Sequence, residues 1–232
     1  MKQRSWQFRQ LLVAAACVAA VVAGGATTAQ AAERLCDPAY EDCRAPLLNY
    51  IKNETVGIDV AFWFMQDTRY QTAILARWNA GVPVRILVDP RANPTYVGNA
   101  DVIAAFANAG IPMRYRTASG ILHWKTMLFA GQGVVEFDGA NYSPTAFVYQ
   151  APYSDYEDES IYFSDDPSIV NSFKTKYDDL WLDTVNYANY ANITGPLTRI
   201  YPVVTKDPAL NFPQQEDYAL RILKRYSAET KK

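Results

Sequence analysis

Short apolar runs alternate with amphipathic stretches through the middle of this chain, and this alternation restricts the fold more than any other feature of the sequence. Each apolar run has the length of a strand buried on both faces, and each amphipathic stretch has helical spacing and ends at a glycine. The runs are VGIDVAFWF, VPVRILVDP and IPMRYR, and the stretches between them are DTRYQTAILARWNAG and NADVIAAFANAG. Because helix-linked strands usually pack in parallel, the sequence predicts an α/β fold with a mixed, mostly parallel sheet flanked by helices.

Further elements extend this pattern on both sides. The stretch RAPLLNYIKNET predicts a helix ahead of the first strand. Downstream, KTMLFAG and GVVEFD predict two strands joined by a glycine-bearing turn, and ESIYFS predicts another strand ahead of the amphipathic helix DDPSIVNSFKTKYDDLWLD. Residues 186–215 show no clear hydrophobic period, which favours a linker or a long loop.

The first 31 residues differ from the rest of the chain. The basic residues Lys2, Arg4 and Arg9 precede an alanine-rich apolar run and a small-residue site, which is the pattern of a signal peptide cleaved after Ala31. We therefore expect a secreted or periplasmic protein. Cleavage would remove three basic residues and no acidic ones, so the formal charge would fall from −2 to −5. A chain this acidic lacks the broad basic surface of a general nucleic-acid binder.

Two cysteines remain after that cleavage, in the stretch LCDPAYEDCR. An even pair that is close in sequence, in an exported protein, predicts a local disulfide between Cys36 and Cys43. A metal site is less expected, because two thiolates without a nearby histidine or third cysteine leave a tetrahedral ion undercoordinated. We expect neither a metal nor a cofactor in this protein.

The only histidine of the chain lies in the stretch GILHWKTMLFAGQGVVEFDGANYS. His123 and Lys125 are two residues apart, so on an extended strand their side chains share a face. Asn141 follows the return strand and can reach the same end of the sheet. Histidine is nucleophilic near neutral pH, and lysine and asparagine supply donors for phosphate oxygens. These three residue types can support a phosphohistidine intermediate without a metal.

This stretch resembles the signature of the phospholipase D superfamily, H-x-K-x4-D-x6-G-S-x-N. His123 and Lys125 match its histidine and lysine, and Asn141 matches its asparagine if one residue is inserted at the turn. The resemblance places Glu159 at the family's downstream glutamate, with Glu157 as the less favoured alternative. It also implies a phosphodiesterase in which one histidine attacks phosphorus and a second histidine protonates the leaving group.

The match to this signature has three departures. Ala130 stands where the motif has aspartate, and Asp138 and Gly139 stand where it has Gly-Ser. A hydroxyl that the motif would place near the phosphate is therefore absent. Efficient catalysis is in question on this account, although the histidine and the lysine are intact.

The family builds its active site from two such motifs, whereas this chain contains one. Residues 216–232 resemble the stretch that opens the first repeat, with KRYSAET aligned on NYIKNET, and this predicts the first helix of a truncated second repeat. The predicted organisation is therefore a signal peptide, a phospholipase D-like catalytic half, a linker and the start of a second repeat, over residues 1–31, 32–185, 186–215 and 216–232. A longer chain or a homodimer would supply the second catalytic half.

We expect an exported phosphodiesterase of the phospholipase D type that hydrolyses phospholipid head-group esters. Two alternatives stay open: a nuclease of the same fold, and a non-catalytic binding domain. The aromatic residues Phe147, Tyr149, Tyr153 and Tyr156 form either a substrate loop or a loop packed on itself. The aromatic run of residues 62–64 is expected in the core.

Overall fold

The computed structural model describes residues 33–149 and 159–205. Two predicted segments, the signal peptide at residues 1–31 and the second repeat at residues 216–232, lie outside the described residues. The same holds for Tyr153, Tyr156 and Glu157. Within the described part of the chain, no helix combines the length and the apolar character that crossing a bilayer requires.

Eight strands and four helices make up the described fold. The strands are β1 (Arg34–Cys36), β2 (Ile58–Phe62), β3 (Val84–Val88), β4 (Met113–Arg116), β5 (Thr126–Phe129), β6 (Val134–Asp138), β7 (Ile161–Ser164) and β8 (Tyr187–Ala191). The helices are α1 (Arg44–Asn53), α2 (Thr68–Asn79), α3 (Asn99–Asn108) and α4 (Pro167–Leu182), with a short 3₁₀ turn at Pro90–Ala92.

The strands form a single sheet in the order β1-β7-β6-β5-β2-β3-β4-β8. The predicted α/β class is confirmed, but the sheet is mostly antiparallel rather than mostly parallel. Only β2, β3 and β4 run parallel, because α2 and α3 carry the chain back between them. The pairs of β5 with β2 and β6, of β6 with β7, and of the edge strands β1 and β8 with their neighbours are all antiparallel.

Helices cover both faces of the sheet. Helices α1, α2 and α3 bury Leu47, Ile74 and Phe106 in one core, and α4 buries Phe173 and Trp181 in a second core on the opposite face. Both cores continue into the alternating side chains of the central strands, which are therefore buried on both sides.

Strand β8 lies in the segment that was predicted to be a linker or long loop. It pairs with β4 at the edge of the sheet, and its mostly solvent-accessible residues have no apolar period that would reveal a strand. The buried guanidinium of Arg114 on β4 donates hydrogen bonds to the carbonyl oxygens of Trp181 and Asp183 at the end of α4 and of Tyr187 on β8. These bonds satisfy carbonyl groups at the end of α4 that would otherwise lack donors.

The predicted disulfide between Cys36 and Cys43 is confirmed, and both cysteines are fully buried. It links β1 to the start of α1. The backbone N–H of Cys43 also donates to the carbonyl oxygen of Phe147, at a nitrogen–oxygen distance of 2.9 Å. Phe147 is buried in the core, and Tyr149 is 45% exposed. The disulfide therefore anchors the first part of the aromatic loop.

Replacing both cysteines with serine should lower the free energy of unfolding by about 2–3 kcal/mol, as the chain-entropy model gives for so short a loop. Urea unfolding of the variant and of the oxidised wild type measures this difference. Reducing agent should shift the wild type by a similar amount and leave the variant unchanged. Equal midpoints for the two oxidised proteins would contradict a stabilising role.

Candidate active site

The candidate site lies at one edge of the sheet. Strands β2, β3, β4 and β6 end at this edge, and β5 and β7 begin there because they run antiparallel to their neighbours. His123 and Lys125 precede β5, Asn141 follows β6, and Glu159 precedes β7. The topology therefore brings all four residues that the sequence selected to the same edge.

Asp89 anchors the segment that carries the histidine. This carboxylate lies just after β3 and is completely buried. One of its oxygens accepts a hydrogen bond from the backbone N–H of Leu122 at 2.9 Å, and the guanidinium of Arg91 pairs with it at 2.6 Å. A buried, charge-assisted contact one residue before His123 fixes where the imidazole can lie.

His123 and Lys125 are in direct contact. The Nζ atom of Lys125 lies 3.0 Å from each ring nitrogen of His123. Both residues are found in the extended lead-in to β5 rather than within the strand, but they share a face as the spacing predicted. The lysine is 2% exposed, whereas the imidazole is exposed to solvent. A substrate can therefore approach the histidine while the lysine stays behind it.

Burial lowers the pKa of both groups. At His123, partial desolvation is the larger cause and the nearby ammonium of Lys125 adds to it, so the pKa of the imidazole falls below 6.5. At Lys125, desolvation lowers the pKa, and the carboxylates of Asp138 and Glu159 partly oppose that shift. The imidazole is therefore neutral near neutral pH, which is the form in which it can act as a nucleophile.

The segment around Asn141 is held by the neighbouring strand end. The carbonyl oxygen of Tyr142 accepts hydrogen bonds from the backbone N–H groups of Gln66 and Asp67, each at 2.9 Å. The Oδ1 atom of Asn141 is buried and has no hydrogen-bond donor within residues 33–149 and 159–205. A buried amide oxygen without a donor is uncommon in folded proteins, so Asn141 is a polar group for which a substrate or water can supply a partner.

Glu159 occupies the space that the motif gives to a serine side chain. A Cβ atom added to Gly139 would lie 2.9 Å from the Oε2 atom of Glu159. The carboxylate is also close enough to Lys125 to raise the pKa of its ammonium. The absence of a side chain at position 139 thus allows a carboxylate to approach the lysine.

Ala130, which stands where the motif has aspartate, is remote from His123. It follows β5 at the opposite edge of the sheet, where its N–H donates to the carbonyl oxygen of Gly57. In this region the carboxylate of Glu54 accepts hydrogen bonds from the backbone N–H groups of Val56, Gly57 and Gly131, at 2.7 to 3.1 Å. Ala130 therefore removes no charged group from the vicinity of the imidazole, and a carboxylate still anchors the turn after β5.

Two groups of residues near the site were missed or misplaced by sequence reasoning. Phe62 and Phe64 are buried as expected, but Trp63 is only half-buried, and its ring centre lies 6.3 Å from that of His123. Glu136 and Asp138 project from one face of β6, and Asp138 lies beside Lys125. Their signal in the sequence was two carboxylates at alternate positions of a strand that is otherwise apolar.

Comparison with known proteins agrees with this geometry. The family model "Cardiolipin synthase, PLD-like domain" matches residues 47–181, more than half of the chain. A search of functionally curated proteins finds no relative of this sequence.

Several solved structures share the fold at low sequence identity. The phospholipase D family member Nuc from Salmonella typhimurium is 20% identical with a TM-score of 0.58, and the match covers 70% of this chain and 99% of Nuc. NucT from Helicobacter pylori is 17% identical with a TM-score of 0.53, over 65% of this chain and 95% of NucT. Phosphatidylserine synthase from Haemophilus influenzae is 17% identical with a TM-score of 0.52, over 70% of this chain and 39% of the synthase.

These similarities establish the fold, and the family match covers β2 to α4 together with the His123–Lys125 contact at the sheet edge. The chain belongs to the phospholipase D-like domain family.

Proposed function

We propose that this protein is a phosphodiesterase whose nucleophile is His123. The observation that carries the proposal is the contact between a buried lysine ammonium and a solvent-exposed, neutral imidazole. In the first step an imidazole nitrogen would attack phosphorus, and the alkoxide would leave with the electron pair of its P–O bond and take a proton from a general acid or from water. Water would then hydrolyse the phosphohistidine and restore the free imidazole.

Lys125 and Asn141 would bind the phosphate in this mechanism. The ammonium of Lys125 lies where it can stabilise the charge on the non-bridging oxygens, which is the usual way in which enzymes lower the barrier for phosphoryl transfer. The carboxamide of Asn141 would orient the phosphate. Glu159 would hold the lysine in place through its charge.

The proposed substrates are phospholipid head-group esters. The acidic mature chain, with its expected charge of −5 after cleavage, disfavours a polyanion as the substrate. We also propose that the protein is exported, on the basis of the composition of residues 1–31. A nuclease is the second candidate, because Trp63 beside His123 provides an aromatic face on which a base could stack.

Purified protein should hydrolyse phospholipid vesicles faster than single-stranded DNA, and chelation should leave the rate unchanged within about twofold, because none of the proposed steps uses a metal. Head-group release and oligonucleotide cleavage are measured side by side, with and without a chelator.

The variant Asp101→Asn on the exposed surface of α3 is the matched control and should keep the rate. Faster cleavage of DNA would favour the nuclease. Loss of activity on chelation with recovery on adding a divalent ion would contradict the proposed mechanism. No turnover of either substrate or of a generic phosphodiester would favour a binding domain.

A further inference from the structure

Strand β6 places two carboxylates against the phosphate site. Glu136 and Asp138 alternate along the strand and therefore lie on the same face. The pairing of β5 with β6 sets Glu136 opposite Met127, and the backbone N–H of Asp138 donates to the carbonyl oxygen of Lys125. Lys125 and Asp138 are thus cross-strand neighbours whose side chains share one face.

Three oxygens of this carboxyl pair have no donor. The Oε2 atom of Glu136 accepts a hydrogen bond from the hydroxyl of Tyr142 at 2.8 Å. The other oxygen of Glu136 and both carboxyl oxygens of Asp138 are buried, and within the described residues no N–H or O–H group reaches them in good hydrogen-bond geometry, although the backbone N–H of Met127 is close enough to lower the pKa of Glu136. Two adjacent ionised carboxylates in this position would each pay the cost of burial without a partner. A proton held between them supplies the missing donor.

The acidity of the two groups agrees with this arrangement. Burial, as the largest cause, raises the pKa of Glu136 to about 7. Burial and the charge of Glu136 raise the pKa of Asp138 well above its ordinary value. Glu136 therefore ionises first, near neutral pH, and Asp138 keeps its proton to higher pH, so above about pH 7 the pair carries a single negative charge until Asp138 ionises.

We propose that the proton shared by Glu136 and Asp138 is a working part of the phosphate site, which limits the pair to the one negative charge that Lys125 balances. While the proton is held, the pair adds one negative charge beside Lys125 instead of two, so a phosphodiester anion meets less repulsion. When the proton is lost to solvent at higher pH, a second negative charge appears beside Lys125 and repels the anion. Asp138 is then a positioning residue that acts through Lys125. The inference rests on the proposed function, in that it takes His123 and Lys125 to be the phosphate site.

Other ionisable groups also face the pair or its neighbours. They come from the segments before β5 and β7, from the segment after β6, and from α1, α2 and the N-cap of α2. These groups are Lys125, His123, Glu159, Tyr142, Arg44, Tyr70 and Asp67. Burial raises the pKa of both tyrosines, so they stay neutral, and His123 ionises below 6.5. Titration of Lys125 is common to the wild type and to variants of the pair. Comparing these proteins therefore separates the loss of the lysine proton from the loss of the proton held by the carboxyl pair.

The first test is the pH dependence of KM for bis(para-nitrophenyl) phosphate, which stays a monoanion throughout. Between about pH 7 and pH 9 the KM of the wild type should rise by up to about fiftyfold, as expected for one added charge within about 7 Å at an effective dielectric of about 20. Glu136→Gln and Asp138→Asn each leave one buried carboxyl, so neither variant can place a second negative charge beside Lys125. Both variants should show a smaller rise than the wild type over this range, and Asp101→Asn should keep the full rise.

The second test does not use catalysis. A carboxyl whose pKa is raised by folding makes the wild type lose stability as pH rises from the ordinary value of 4.5 towards about 7. In Glu136→Gln the amide can accept from Tyr142 and donate to Asp138, so the part of this loss that Glu136 causes should disappear. The urea midpoint of the variant should exceed that of the wild type at about pH 8.5, and the two should converge near pH 5.

The outcomes separate this inference from the proposed function. A difference between the urea midpoints of the wild type and Glu136→Gln that does not change with pH would show that the pair shares no proton. If that difference does change with pH, but KM depends on pH in the same way in the wild type and in all three variants, the shared proton has no role at the phosphate site. If no protein hydrolyses the diester, the proposed function fails, and calorimetric binding of that diester at the two pH values replaces KM. A binding constant that changes more with pH in the wild type than in both pair variants would still support the inference, and equal changes in all of them would overturn it.

Discussion

The variant His123→Asn should lose at least about three orders of magnitude in kcat/KM for any phosphodiester that the protein cleaves, in line with the loss of the nucleophile in other covalent enzymes. Asparagine keeps a polar side chain of similar reach and leaves Lys125 in place. The P–N bond cannot form, however, because an amide nitrogen has no available lone pair. Initial rates with bis(para-nitrophenyl) phosphate measure the effect over a wide range.

Trp124→Phe is the matched control for this experiment. Trp124 lies between the two site residues in sequence, but it faces the opposite side of the sheet, where its ring packs against Phe173. Phenylalanine preserves that contact, so kcat/KM should stay within a factor of about three, as is usual for a substitution that keeps the packing. If His123→Asn keeps most of its activity while both variants fold, the phosphohistidine mechanism is wrong.

The sequence was sufficient to find the histidine and the lysine because their relation is local. A spacing of two residues in an extended segment fixes a shared face whatever surrounds it, and the structure brings the Nζ atom of Lys125 within 3.0 Å of the imidazole. The two helical crossovers among β2, β3 and β4 are equally local, since each consists of consecutive elements.

The remaining strand directions depend on long-range pairing and were harder to predict. After β4 the chain returns to the far side of β2 without a helix, and it enters β5 antiparallel to β2. Apolar periodicity reports burial, and it is the same for strands of either direction. The edge strand β8 carries even less signal, because only its first residue, Tyr187, is buried.

The departures from the family signature show why single positions were misleading. Ala130 appeared to remove a carboxylate from the site, yet it lies at the opposite edge, near the carboxylate of Glu54. Gly139 appeared to remove a hydroxyl, yet it makes room for Glu159. In both cases the group that takes the space is distant in sequence, so only the tertiary structure reveals it.

The single histidine also predicts how the rate depends on the leaving group. A para-nitrophenolate leaves without protonation, whereas an alkoxide needs a general acid, which is typically worth about 10²–10⁴-fold. The resemblance to the phospholipase D superfamily assigns that role to a second histidine, and this chain has only one. A monomer should therefore cleave the nitrophenyl diester, and it should cleave an alkyl diester slower by a factor within that range, beyond the intrinsic difference between the two esters.

A homodimer that joins two copies of His123 around one phosphate would restore the alkyl reaction, with one imidazole as nucleophile and the other as acid. The test mixes wild type with excess His123→Asn and follows both esters, while sedimentation reports the dimer. In a mixed dimer the remaining imidazole can still attack but nothing protonates an alkoxide. The alkyl rate per wild-type subunit should therefore fall by about 10²-fold or more while the nitrophenyl rate holds. A strictly monomeric protein that cleaves alkyl diesters efficiently would refute the need for a second histidine. A dimer in which both rates per wild-type subunit hold would show that its sites are not shared, and a second motif in a longer chain would then be the remaining source of the acid.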